Sequence, residues 1–150
     1  MITSTLITLA LAEYASRDDF HQIGKGSKIR HGLQWLFRAA VVALACYLDD
    51  CMLYAVPLAF LFSAVFRWRL NALRGKDWRY MAPWSSVYDM CLFALANQWI
   101  PPKPYLSLIR TAYSVKLIHR AGTLAYIFEA VVFVVGTVWY ICSVKSGIQP

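Results

Sequence analysis

The sequence predicts an all-α integral membrane protein that forms one polytopic domain over residues 1–150. Of its 150 residues, 59% are hydrophobic and 15% are charged, whereas soluble proteins average about 45–50% and about 25%. Apolar segments long enough for membrane helices recur along the chain, with basic residues clustered beside them. Basic flanks of this kind mark the cytoplasmic side of a membrane protein, so the net charge of +7 predicts anionic lipid headgroups as partners and excludes nucleic acid.

Four transmembrane helices are predicted, at about residues 2–20, 31–48, 51–66 and 122–144. The first is apolar over ITSTLITLALAEYA, and the i, i+4 pair Glu13 and Arg17 favours its continuation to the interface before Gly24 breaks it. Asp49 and Asp50 form a very tight turn between the second and third helices. So short a connection predicts an antiparallel hairpin.

The third and fourth predicted helices carry small residues at regular spacing. Ala55, Ala59 and Ser63 recur every four residues in the third helix, where Pro57 predicts a kink. In the last helix, one face presents small residues around a single acid at a spacing of seven: Gly122, Glu129, Gly136 and Ser143. Such faces allow another helix backbone to approach closely.

Residues 67–120 are predicted to form an interfacial or re-entrant helical segment. The stretch from Arg67 to Trp84 holds five basic residues among tryptophans and a tyrosine, a composition that favours the headgroup region. Residues 84–100 are apolar but contain Asp89 and end at PPKP. If they do not cross, thirteen of the fifteen lysines and arginines lie on one side, and the charge bias therefore favours the non-crossing arrangement.

A polar stripe runs along the second predicted helix. At about 100° per residue, four side chains share one narrow face: His31, Gln34, Arg38 and Asp49. Arg38 and Glu129 each lie about 10–12 Å from the basic interface at a rise of about 1.5 Å per residue. An unpaired arginine in a membrane helix costs roughly 2.5–3.5 kcal/mol, so we predict that Arg38 pairs with Glu129 and that the stripe packs on the last helix.

A metal site is a further hypothesis. Asp18 and His21 are three residues apart on one helix face, and His31 follows a glycine-containing loop that could fold it back towards them. One carboxylate and two imidazoles are ligands that zinc or iron accepts, and Asp19, Asp89 or His119 could complete the set. The sequence contains neither the G-x-S-x-G nor the H-E-x-x-H motif of known enzymes.

The expected function is that of a small membrane protein acting through helix packing and contact with lipid or a partner, in an accessory or membrane-remodelling role. One alternative is a metal-dependent enzyme that uses Asp18, His21 and His31 on a lipid or peptide at the cytoplasmic interface. Another is an ion- or proton-conducting oligomer that uses Arg38 and Glu129. Besides lipids, a second copy of the chain or another membrane protein is an expected partner, and no cofactor is assigned.

Overall fold

The computed structural model describes residues 1–26, 31–81, 87–98 and 115–146, and the regular structure in these ranges is entirely helical. The described helices are α1 (Ile2–Gly24), α2 (His31–Leu48), α3 (Ala55–Leu73), α4 (Val87–Gln98) and α5 (Val115–Lys145), with a 3₁₀ turn at Met52–Tyr54 before α3. The predicted all-α class is therefore confirmed for the described residues.

Helix α3 occupies the centre of the bundle and contacts α1, α2 and α5. Helix α1 runs parallel to α3, since Ser4 lies beside Cys51 and Ala12 packs with Phe62. Helix α5 runs antiparallel to α3, since the 3₁₀ turn packs near the end of α5 and Ser63 bonds to Glu129. As a result α1 and α3 end, and α2 and α5 begin, at one end of the bundle, which we call the basic end.

The buried face of α1 is made of small and polar residues. Ser4, Thr8, Ala12 and Ser16 recur every fourth residue and are fully buried, and Asp19 continues the same face. The large apolar residues Ile2, Leu6 and Leu9 lie on the outside. Small residues at this spacing let two helix backbones approach closely, as in the interfaces of membrane helices.

The turn between α2 and α3 is as tight as predicted and closes α2 with a Schellman motif. The Cys51 N–H donates to the Cys46 carbonyl at 2.8 Å, and the Asp50 N–H donates to that of Tyr47 at 3.2 Å. This motif places Asp50 at a φ of 50°, a left-handed conformation that aspartate tolerates better than most residues. The antiparallel hairpin of α2 and α3 follows from this turn.

Pro57 lies in the first turn of α3, because the helix begins at Ala55. The sequence prediction began the third helix at residue 51 and placed Pro57 inside it. In the first turn a proline leaves no helical hydrogen bond unmade, so the predicted kink has no cause. The Pro57 ring instead packs against Gly136 of α5, where a glycine makes room for it.

Several predicted helix boundaries are corrected by the structure. Helix α3 continues to Leu73 and α5 begins at Val115, so both ends of the predicted segment 67–120 belong to longer helices. Helix α1 likewise extends past residue 20 to Gly24. Within the predicted segment, α4 packs on the first turns of α5 through a buried apolar cluster: Met81, Leu92, Ala96, Leu117, Ala121 and Ala125.

Two helical stretches are long and apolar enough to cross a membrane by length and composition, Met52–Leu73 and Leu117–Lys145. Their mean hydropathies are 1.3 and 2.0. Leu33–Leu48 is apolar but shorter, and α1 is absent from this set because its second half carries the charged residues Glu13, Arg17 and Asp18. Two such stretches give weak support for a membrane protein.

Replacing Gly136 by alanine is expected to weaken the packing of α5 on α3. A Cβ atom there would lie 2.5 Å from Pro57 Cγ, and overpacking of this kind costs about 1–3 kcal/mol. The free energy of unfolding in detergent measures the loss, and Pro57→Ala added to Gly136→Ala should restore part of it. Gly24→Ala is the control, since a Cβ at Gly24 meets no atom within 4 Å. Equal effects of the two alanines would contradict the predicted contact.

Candidate functional site

Charged side chains meet inside the bundle towards the basic end, which is the most distinctive chemical feature of the described residues. Three groups of ion pairs join the helices there: Asp19 with Arg38, Glu13 with Arg69, and Glu129 with Arg67. Every carboxylate in these pairs lies on a different helix from its arginine. Together they link α1 to α2, α1 to α3 and α3 to α5.

The pair between Asp19 of α1 and Arg38 of α2 is almost completely shielded from solvent. Arg38 Nη2 donates to Asp19 Oδ1 at 2.7 Å, and Nη1 lies 3.5 Å from Oδ2, so the guanidinium addresses both oxygens. The guanidinium carbon also lies 4.9 Å from the centroid of the Phe66 ring on α3. Both the carboxylate and an aromatic face therefore stabilise the buried cation.

Glu129 is the most deeply buried acid of the described chain, with 1% of its surface exposed. Its Oε1 accepts a hydrogen bond from the Ser63 hydroxyl at 2.8 Å, and its Oε2 accepts one from Arg67 Nη1 at 3.0 Å. Arg67 Nη2 also lies 3.6 Å from Oδ1 of Asp89 on α4. Arg67 therefore joins three helices, α3, α4 and α5.

The third group lies nearer the surface. Arg69 of α3 binds Glu13 of α1 with two hydrogen bonds, of 2.5 Å and 2.8 Å. Arg17, one turn along α1, donates to the same carboxylate at 2.8 Å. The predicted i, i+4 contact of Glu13 and Arg17 is thus present, but the bidentate bond to Arg69 is the one that joins two helices.

The predicted pairing of Arg38 with Glu129 is wrong. Arg38 binds Asp19 and Glu129 binds Arg67 and Ser63, and the described parts of α2 and α5 do not contact each other. Helix α3 contacts both of them, and each charge meets an opposite charge nearer to it. The prediction considered Asp19 only as a possible metal ligand and placed Arg67 in the interfacial segment 67–120, and so overlooked the two partners.

The described side chains of the polar stripe, Gln34, Arg38 and Asp49, face α1 instead of α5. Gln34 Nε2 donates to Gln22 Oε1 at 3.4 Å, one turn from the Arg38 pair. At the far end of the stripe, Asp49 accepts a hydrogen bond from the Ser4 backbone N–H at 2.8 Å and pairs with the Met1 ammonium at 2.6 Å. The stripe does have a partner within the protein, as predicted, but that partner is α1.

The contacts of Asp49 keep it ionised. Its hydrogen bonds to the Met1 ammonium and then to the Ser4 N–H lower the pKa of Asp49 to about 2. A carboxyl group whose folded pKa lies below its unfolded value stabilises the fold above the unfolded pKa of about 3.9 and loses that contribution as the pH falls towards 2. Asp49 therefore anchors the start of α1 at neutral pH.

The predicted metal ligands are only partly placed by the structure. Asp18 Oδ2 accepts a hydrogen bond from Gln22 Nε2 at 2.7 Å, and His21 is exposed on the same helix. The side chain of His31 lies outside the described residues, so the three-ligand site stays a prediction. Among the described side chains, no group of three or more His, Cys, Asp or Glu residues is arranged to hold a metal ion.

A loop of basic and aromatic residues follows α3 at the basic end, and we call residues 74–80 the basic loop. Asn71 fixes its path by donating to the carbonyls of Trp78 and Tyr80, at 3.2 Å and 2.7 Å. The charged ends of Arg74 and Lys76 lie 5.6 Å and 5.5 Å from the Tyr80 ring centroid. The loop therefore holds two positive charges against an aromatic ring.

Comparison with protein-family models, with curated proteins and with solved structures finds no match to this chain. Any functional conclusion therefore depends on the geometry alone.

The chemistry of the buried groups favours structural cohesion. An ion pair that is removed from water must be satisfied by its partner, because one unpaired charge in an apolar interior is strongly destabilising. Asp19, Arg38, Arg67 and Glu129 all meet this condition through charged or hydroxyl partners on neighbouring helices. These contacts fix the register in which the helices pack.

A double-mutant cycle should show that Arg38 is coupled to Asp19. Arg38→Leu alone leaves a buried carboxylate without its partner and is expected to lower the free energy of unfolding by about 3 kcal/mol. Adding Asp19→Leu should cost little more, giving a coupling energy of at least about 1 kcal/mol in detergent unfolding.

The matched control combines Arg38→Leu with Glu129→Gln. These two changes should add within about 0.5 kcal/mol, since the residues belong to different ion pairs. Strong coupling in the control and additivity in the Asp19 cycle would contradict the observed pairing.

Proposed function

We propose that the chain is an integral membrane protein with four crossing helices, α1, α2, α3 and α5, which acts without catalysis through helix packing and contact with lipid or a membrane partner. Its role is that of an accessory or membrane-remodelling component. The basic end lies on the cytoplasmic side.

The observation that carries this proposal is the distribution of polarity. The interior holds Arg38, Asp19 and Glu129, whereas the outer face of α5 is a continuous apolar surface on which Val131 and Val135 are 54% and 61% exposed. Soluble proteins place charges outside and rarely expose large contiguous apolar patches. If the outer face contacts lipid hydrocarbon, its apolar side chains are not exposed to water and carry no free-energy cost. The same location explains why the charges are paired inside the bundle.

The dimensions of α1 and α2 support four crossings. Helix α1 has 23 residues and α2 has 18, which correspond to about 34 Å and about 27 Å at about 1.5 Å per residue. The hydrocarbon core of a bilayer is about 30 Å thick. Ser4, Thr8 and Ser16 do not oppose its insertion, because they face the bundle and not the surroundings, and Glu13 is paired with Arg17 and Arg69.

The middle of the chain is proposed to stay on the basic side. Helix α3 ends and α5 begins at the basic end, so the connection between them returns to the side from which it starts. Helix α4 has 12 residues, or about 18 Å, which is too short to cross. Its packing on the first turns of α5 through Leu92 and Ala96 supports a position at the interface.

Lipid contact is proposed at the basic loop. Arg74 and Lys76 lie on the Tyr80 ring, and Trp78 packs 5.3 Å from the Tyr126 ring of α5. Aromatic rings beside basic side chains suit the headgroup region, and each such charge attracts anionic lipid by about 1 kcal/mol. The buried charges, in contrast, already have opposite charges as partners, which supports a packing role for them and not ion conduction.

Cysteine accessibility tests the crossings of α2, α3 and α5. In a chain whose native cysteines are replaced by alanine, single substitutions Lys25→Cys, Asp50→Cys, Lys76→Cys and Ser146→Cys mark the ends of the four helices. With intact cells, a membrane-impermeant maleimide should label positions 50 and 146. Positions 25 and 76 should react only after permeabilisation, because the basic end is cytoplasmic.

Labelling of positions 25 and 50 from the same side would remove α2 as a crossing helix and would contradict the four-span arrangement. Labelling of all four positions in intact cells, together with release of the protein by alkaline carbonate, would contradict the membrane proposal itself.

The basic loop should make the protein more stable in anionic than in zwitterionic bilayers. Replacing Arg74 and Lys76 by glutamine should reduce this difference by about 1 kcal/mol per residue, since each charge attracts anionic headgroups. The measurement is thermal unfolding in nanodiscs of phosphatidylglycerol and of phosphatidylcholine. The control exchanges the two residues, Arg74→Lys with Lys76→Arg, which keeps both charges and should keep the preference. Loss of the preference in the control, or its survival in the glutamine variant, would contradict lipid binding by the loop.

A further inference from the structure

A cleft of about 450 Å³ opens between α1 and α2. Its walls combine apolar and polar side chains: Leu11, Leu33, Phe37, Tyr14, Asp18 and Gln34. Leu33 and Phe37 are both largely exposed, so the cleft opens at the outer surface of the bundle. Arg38 also borders the cleft, but its charge is neutralised by Asp19.

The hydrogen bonds beside the cleft have a fixed direction. An ionised Asp18 can only accept, so Gln22 must turn its Nε2 group towards it, at 2.7 Å. This leaves Gln22 Oε1 to accept from Gln34 Nε2 at 3.4 Å. Rotating either amide by 180° would place two acceptors against each other.

This series of hydrogen bonds, from Asp18 through Gln22 to Gln34, ends in an acceptor without a donor. With its Nε2 turned to Gln22, the Gln34 side chain has a buried Oε1 that no described group satisfies. A buried carbonyl oxygen without a donor is destabilising, and such groups in native proteins are commonly completed by water or an ion. The Asp18 carboxylate therefore lines the cleft as an acceptor, and the unsatisfied Gln34 amide oxygen lies buried beside it.

We propose that this cleft binds the primary ammonium headgroup of an aminophospholipid of the phosphatidylethanolamine type, an inference that rests on the proposed membrane location. The negative charge of Asp18 favours a cationic ligand, because Arg38, the cation that borders the cleft, is already paired with Asp19. The acceptors call for N–H groups, of which a primary ammonium has three. A quaternary choline carries the same charge and no N–H.

The remaining parts of such a lipid match the surroundings of the cleft. Leu11, Leu33 and Phe37 provide an apolar wall for the first part of an acyl chain. Lys25 follows the last residue of α1, and its charge suits a lipid phosphate. The cleft lies towards the basic end, where headgroups are expected under the proposed topology.

Native mass spectrometry of the detergent-purified chain tests the assignment. The protein is equilibrated with equal amounts of phosphatidylethanolamine, its N-methyl and N,N-dimethyl derivatives and phosphatidylcholine, all with the same acyl chains. Charge-assisted hydrogen bonds predict about tenfold more bound phosphatidylethanolamine than phosphatidylcholine, with the methylated lipids ranked between them by their remaining N–H groups. Equal binding of the four lipids would overturn the proposal.

Variants locate the site. Asp18→Asn should reduce the tenfold preference to nearly equal binding, while Asp50→Asn, the same change at the opposite end of the bundle, should leave it intact. Gln34→Met serves if Asp18→Asn does not fold, because it loses only the long 3.4 Å bond and the acceptor. Persistence of the preference in Gln34→Met and, where it folds, in Asp18→Asn would place the site elsewhere and overturn the proposal.

Two further measurements separate the alternatives. Glycerophosphoethanolamine, the headgroup without acyl chains, should bind far more weakly than the lipid. Equal binding would show a site for soluble amines and overturn the assignment to a lipid. The cysteine labelling described above is independent of Asp18 and Gln34, so failure of the membrane proposal and failure of this cleft assignment give different results.

Discussion

The two helical stretches long and apolar enough to cross a membrane are joined by an ion pair between Arg67 of α3 and Glu129 of α5. Neither charge can be left alone at that depth, because burial of an unpaired ion is strongly destabilising. The hydroxyl of Ser63, one turn from Arg67, donates a hydrogen bond to the other oxygen of the Glu129 carboxylate. These contacts fix the register of α5 on α3. The same register brings Gly136 against Pro57, nearer the opposite end of the bundle.

The position of α3 explains how the remaining helices are arranged. Its other faces receive α1 and α2, and Phe66 lies against the guanidinium of Arg38 while Arg69 binds Glu13. The buried face of α1 is small enough to allow this close approach and ends in Asp19, which neutralises Arg38. The outer surface is correspondingly apolar along α5, since the charged groups Asp19, Arg38 and Glu129 lie inside.

This arrangement also gives the two proposals for lipid contact a common origin. Inside the bundle the charges are paired, so the charges left for lipid are those at the basic end, on the basic loop and beside the α1–α2 cleft. The basic loop offers cationic side chains beside an aromatic ring, and the cleft offers hydrogen-bond acceptors. The first suits an anionic headgroup and the second an ammonium headgroup.

Much of the fold could be predicted from local pattern. Composition indicates an all-helical chain, and the interval 31–48 agrees with α2 because a glycine-containing loop and paired aspartates bound its apolar run. The partners of the buried charges could not be predicted from depth alone. Asp19 was considered only as a possible metal ligand near the end of the first helix, yet it continues the series of Ser4, Thr8, Ala12 and Ser16 on one helix face, a periodicity that the sequence does contain. The partner of Glu129 depends on which helix lies beside α5, and no local signal determines that.

The central claim is that the apolar face of α5 contacts hydrocarbon while the face bearing Glu129 contacts protein. Spin labels at single cysteines replacing Ile127, Val131, Val134 and Val138 test it directly in a reconstituted bilayer, through collision with oxygen and with a water-soluble nickel complex. All four side chains are exposed, so the account predicts high collision rates with oxygen and low rates with nickel. A label replacing Thr137, which bonds to Tyr54 inside the bundle, should show low rates with both. High nickel accessibility along the four outer positions would show that this face meets water, and would contradict the account.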